Sequence, residues 1–184
     1  MTRVLLTAIV LEILAASTAT AQDARFSVGT GLMLPSGDYY AGLQQPTGDY
    51  DPGFQFTGTI EVTFPRTPVG VRVDGIYGYI HHQFHDSFYN AFYVNQTLKL
   101  NGGTANLVYH IGASRRLRRL YLLAGAGFIV VNNSEYDAAF TAGTGLSVGA
   151  GLSRLFVEGR FVSVRTSGSA LNFFPVTGGL SFGL

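Results

Sequence analysis

The chain has 184 residues, a formal net charge of +1, no cysteine and no tryptophan, and only 12% of it is Asp, Glu, Lys or Arg. The charge balance offers no electrostatic footprint for nucleic acid, and the absence of cysteine excludes a disulfide framework. The charged fraction is about half the 25% of an ordinary soluble domain, so a conventional water-facing surface is disfavoured.

Arg3 is followed by an apolar run over residues 4–11 and by Ala19, Thr20 and Ala21. This is the layout of a secretory signal peptide, residues 1–21, cleaved after Ala21. The run falls well short of the roughly 20 residues of a spanning helix. Residues 22–184 are then a single domain.

Eight strands follow from period-2 alternation, which sends successive side chains to opposite faces. The first, 24–34, puts Phe26, Val28, Leu32 and Leu34 on one face, and a loop rich in Gly, Asp, Tyr and Pro follows to residue 52. The second, 53–64, alternates Phe54, Phe56, Ile60, Val62 and Phe64 with Gln55, Thr57, Thr59, Glu61 and Thr63. A short turn leads to 69–81, a loop to 94–111, and the Arg-rich segment 114–118 to 119–131. The Gly102-Gly103 pair shifts the alternation by one, which predicts a bulge. The last three strands are 138–152, 155–164 and 172–184, with a tight turn at Ser153-Arg154 and a loop over 165–171. Connections alternate long and short, as they do in transmembrane barrels.

Two hairpins predict faces. If Phe64 opposes Val69, then Val62 meets Val71 and Ile60 meets Val73 on the outside, while Glu61 meets Arg72 and Thr59 meets Asp74 inside. Opposed charges across a strand pair attract, which makes Arg72 the expected partner of Glu61. If Leu152 opposes Leu155, Ala150 meets Val157 and Leu146 meets Phe161 outside, with Gly149 against Glu158 and Ser147 against Arg160 inside. Small residues such as Gly143, Gly145, Thr177, Gly179, Ser181 and Gly183 leave a thin interior its room.

With these features in place, the chain resembles the small bacterial outer-membrane β-barrel families of the OmpA-membrane-domain kind. The most specific local element is the end, where Thr177, Gly179, Phe182 and Leu184 fill the places of the signal read by the outer-membrane assembly machinery; the family usually ends in Phe rather than Leu. The resemblance implies an all-β, eight-stranded antiparallel up-and-down transmembrane barrel. It also implies an outer-membrane location, lipid and the assembly machinery as partners, and a monomer.

Several side chains invite chemistry. His81, His82 and His85 have a metal-like look, but adjacent strand residues diverge, so the first two converge only if the strand has ended; no cysteine completes a zinc set. Outer-membrane lipid A deacylases carry His-x-Ser followed directly by Asn. Here His85 and Ser87 are followed by Asn only at Asn90, and no orienting carboxylate is evident. Asp38, Asp49 and Asp51 could approach calcium, without the EF-hand spacing. Arg115, Arg116, Arg118 and Arg119 are expected at phospholipid head groups. Tyr77, Tyr79, Tyr109 and Phe64 are expected in aromatic girdles.

The expectation is a non-enzymatic barrel with no catalytic, cofactor or metal residues. Its lumen is filled by Glu61, Arg72, Asp74, Glu158 and Arg160, and its external loops serve envelope structure, adhesion or binding. The alternatives are a lipid A deacylase acting at the outer leaflet, and a soluble lipocalin-like carrier with Phe54, Phe56, Ile60 and Val62 turned inward.

Overall fold

The computed structural model describes residues 23–36, 52–85, 93–112, 118–132, 136–149, 152–166 and 169–184. Eight strands, β1 (Asp23–Ser36), β2 (Gly53–Thr63), β3 (Val69–His85), β4 (Tyr93–Ile111), β5 (Arg118–Val131), β6 (Tyr136–Val148), β7 (Ser153–Thr166) and β8 (Ser169–Gly183), follow one another around a closed antiparallel barrel. β8 closes on β1 through pairs such as Phe26 with Phe182 and Ser27 with Ser181, so no edge strand is left.

Following paired residues from Arg25 through Glu61, Arg72, Asn106, Gly125, Thr141, Val162 and Phe173 returns to β1 at Pro35, 10 residues further on. That stagger tilts the strands by roughly 40° and leaves an interior just wide enough for side chains.

Large apolar residues cover the outside, among them Phe26, Val28, Leu32, Val73, Leu107 (63% exposed), Leu122, Val157 and Leu180. Phe56, Tyr77, Phe128, Phe140 and Phe174 form an exposed aromatic group toward the end away from the termini. Tyr109 and Phe64 are exposed toward the terminal end. A continuous apolar wall of this kind, flanked by aromatics, suits hydrocarbon rather than water. Phe56 is 54% exposed on this wall, which is opposite to the inward orientation a lipocalin-like carrier would need.

The β2–β3 register is the predicted one, with Glu61 opposite Arg72 and Ile60 opposite Val73. The turn closes with the Phe64 amide donating to the Val69 carbonyl at 3.0 Å. The β6–β7 register differs. Leu155 pairs with Val148 rather than Leu152, Glu158 with Gly145, and Arg160 with Gly143. β6 stops at Val148 because Gly149 takes φ +154, a conformation that favours glycine. Leu152 then accepts a bond from the Gly183 amide (2.7 Å), and Ser153 and Arg154 belong to β7 rather than to a turn. The displacement is even, so every described side chain keeps its predicted face; Ala150 lies outside the described residues.

Gly102 and Gly103 form no bulge. The β3–β4 register runs unbroken from Val69 with Tyr109 to His85 with Tyr93. What changes there is the polarity of each face. On the terminal side of the pair, Thr104 and Asn106 point inward and Leu107 and Tyr109 outward. On the distal side, Leu98 and Leu100 point inward while Thr97 and Lys99 are exposed. Met33, Ile80, Ile129, Val162, Val164, Leu171 and Phe173 join those two leucines in a buried apolar cluster.

The distal strands also run further than predicted, with β3 continuing to His85 and β8 starting at Ser169. Only the first connection, residues 37–52, is long; the rest do not alternate in length. Past the apolar wall, β4 thus carries Thr97 and Lys99 outside and Leu98 and Leu100 inside, the polarity of a barrel in water.

Candidate functional site

The lumen holds a charged cluster at mid-height. Inward positions two apart on β3 carry Arg72 and Asp74, and on β7 they carry Glu158 and Arg160. In a barrel of eight strands these two lie on opposite walls, and the four side chains meet between them. Arg72 Nε donates to Asp74 Oδ1 at 2.7 Å and its Nη1 to Glu158 Oε2 at 2.7 Å. Arg160 Nη1 donates to Asp74 Oδ2 at 2.9 Å and its Nε to Glu158 Oε1. Each guanidinium thus bridges both carboxylates.

Neighbours complete the network. Asn106 Nδ2 donates to Asp74 Oδ2 at 2.6 Å, and the Tyr121 hydroxyl donates to Glu158 Oε2 at 2.8 Å. Asp74 and Glu158 are each 1% exposed. Two buried cations against two buried anions, each with several donors or acceptors, form a neutral and satisfied set, the condition for tolerating charge at low dielectric. Nearer the distal end Gln55 of β2 bonds Thr177 of β8 over Gly31 of β1, and the apolar cluster closes the space beyond.

The five lumen residues expected from the sequence all face inward, but Glu61 does not pair with Arg72. It meets His110 Nε2 at 2.9 Å instead, while Arg72 reaches across the barrel. Sequence reasoning did not find His110, Asn106, Tyr121, Arg25 or Arg154. Parity alone puts Arg25 on the face opposite Phe26, so its inward position was readable. Arg119, expected at lipid head groups, turns into the terminal mouth and donates to Asp23 Oδ2 at 3.4 Å.

Arg118 opens β5, and Arg115 and Arg116 lie outside the described residues. The β3 strand continues through His81, His82 and His85, which pair by register with Thr97, Gln96 and Tyr93, so the condition for His81 and His82 to converge is not met. Ser87, Asn90, Asp38, Asp49 and Asp51 lie outside the described residues, as does the segment 1–21. Of the C-terminal signal residues, Thr177 and Gly179 face the lumen, and Phe182 and Leu184 face outward.

No protein-family model matches the sequence. No curated protein matches it either. Solved structures do. Neisserial surface protein A superposes with a TM-score of 0.62 at 12% identity, over 90% of this chain and 100% of the other. The outer membrane protein OprG from Pseudomonas aeruginosa superposes with a TM-score of 0.62 at 12% identity, over 89% of this chain and 96% of the other. At that identity the likeness concerns the fold, and it spans nearly the whole of both partners. The chain has the fold of the small eight-stranded outer-membrane barrels.

Proposed function

We propose that this protein is an integral barrel of the bacterial outer membrane. In this reading it is non-enzymatic, has a closed lumen, and acts through its distal loops in envelope structure, adhesion or binding. The observation that carries the proposal is the double closure of the lumen. The Arg72–Asp74–Glu158–Arg160 cluster spans it from wall to wall, and the apolar cluster around Leu100, Ile129 and Phe173 fills it beyond. A water-filled channel needs about 16 strands, and eight leave room only for side chains.

The exposed apolar wall supports the membrane placement. In barrels of this kind the termini lie on the periplasmic side. Phe182 and Leu184 on the lipid-facing side of β8, with Thr177 and Gly179 behind them, fit recognition of the last strand by the assembly machinery. Reconstitution in planar bilayers tests the closed lumen: baseline current is expected, and large stable conductance steps would refute it. Membrane fractionation with heat-modifiable gel migration tests the location, and recovery without detergent would overturn it.

A further inference from the structure

At the terminal end of the lumen, below the charged cluster, lies a cavity of about 30 Å³ walled in part by Arg25, Arg119, Arg154, Ser147 and Ser181. That exceeds the space one water needs. It adjoins a wider vestibule of about 420 Å³ formed by the β2–β3 turn, and His110 and Arg119 belong to the walls of both. The vestibule lies at the end of the barrel where β1 begins and β8 ends, and neither space is fully enclosed.

Among the described residues, guanidiniums outnumber carboxylates around this cavity. Asp23 serves two guanidiniums, Arg25 at 3.1 Å and Arg119 at 3.4 Å. Glu61 is engaged by His110, and Arg72 by the mid-lumen carboxylates. Arg154 has no carboxylate within ion-pair distance among the described residues. Its Nε and Nη1 are buried without a hydrogen-bond acceptor among the described residues, and the residue is only 8% exposed. Arg25 Nη1 is buried without one as well.

A buried guanidinium with no acceptor is costly, and the cost is removed by an anion between it and its neighbours. Guanidinium forks match the oxygens of phosphate-type anions in geometry as well as charge. We infer that the terminal mouth of the barrel is a binding site for a single phosphate-type oxyanion, held chiefly by Arg154 with Arg25 and Arg119. Two sources share that chemistry, free phosphate from the aqueous side and the phosphoryl group of an inner-leaflet lipid reaching over the rim. This site is independent of the role of the distal loops.

The test uses the folded full chain in non-ionic maltoside micelles, titrated with inorganic phosphate at constant ionic strength. The readouts are the Arg154 Nε–H resonance and the thermal unfolding midpoint. The resonance is expected to move saturably and the midpoint to rise. Arg154→Gln is expected to weaken apparent affinity about tenfold or more, the loss of a charge-assisted contact. Arg165→Gln, on the exposed distal surface, is expected to leave it unchanged.

If Arg154→Gln does not fold, the wild-type resonance alone decides, since an Arg154 signal indifferent to phosphate overturns the site. Equal affinities for the two variants overturn it too. Weaker phosphate binding in nanodiscs of zwitterionic phosphatidylcholine than in the phosphate-free maltoside micelles assigns the site to a lipid head group. Equal binding in both assigns it to free anion.

Discussion

Glu61 and Arg72 stand directly opposite one another across β2 and β3, yet their side chains do not pair. Arg72 sends Nη1 across the lumen to Glu158 at 2.7 Å, and Glu61 meets His110 at 2.9 Å. The lumen is narrow enough for a long inward side chain to reach the far wall. There Arg72 finds a carboxylate shared with Arg160 and Tyr121, whereas Glu61 sits nearer the open mouth. Register decides which backbones are neighbours, and the width of the barrel decides which charges are.

The two glutamates should therefore answer differently to neutralisation. Glu158→Gln leaves Arg72 and Arg160 buried with one carboxylate between them, and breaking a buried pair in this way costs about 3–5 kcal/mol. Glu61→Gln removes one contact at the partly open mouth and should cost about 1 kcal/mol or less. Urea unfolding of each variant from lipid vesicles gives the comparison. Equal losses at the two positions would mean that the cross-lumen cluster is not what holds the barrel.

Much of this arrangement was legible in the sequence, because the strand period is an exact two and charges cannot face hydrocarbon. Alternation located all eight strands, and Arg72, Asp74, Glu158 and Arg160 were assigned inward although the β6–β7 register was displaced. An even displacement preserves parity, so the faces survived the error at Gly149. Pairings across the lumen were not legible, since Asp74 and Arg160 are joined by barrel closure and not by any local spacing. The apparent bulge at Gly102-Gly103 has a similar origin. A change in the surroundings of both faces imitates a slip of one residue when only hydrophobicity is read.

That change of surroundings predicts opposite sensitivities along β4. Leu107 lies in the exposed apolar wall, and Leu107→Lys should destabilise the barrel by about 2–4 kcal/mol if it sits near the bilayer midplane. Lys99 projects from the same face beyond the polarity change, so Lys99→Leu should shift stability by no more than about 0.5 kcal/mol, as for an ordinary surface site. Leu100, fully buried in the apolar cluster, should lose about 2–5 kcal/mol as Leu100→Ala. Unfolding free energies in vesicles would decide the matter. Strong stabilisation by Lys99→Leu would show that lipid extends over the distal segment.

Gly145 and Tyr121 supply a sharper test of how the lumen is packed. They are register partners on β6 and β5, and a Cβ at Gly145 would fall 2.3 Å from the Tyr121 Cζ and Oη atoms. The ring lies over the glycine, and in that position its hydroxyl donates to Glu158. Gly145→Ala must displace the ring and so weaken the Glu158 contact as well as the packing. Tyr121→Phe removes the hydroxyl, leaving the ring free to shift without loss of that bond. The two substitutions should thus be less than additive, with a coupling of about 1 kcal/mol in a double-mutant cycle. Gly58 is a suitable control, because a Cβ there meets nothing within 4 Å, and Gly58→Ala should be harmless. Strict additivity of Gly145→Ala with Tyr121→Phe would mean that the glycine does not position the tyrosine on the charged cluster.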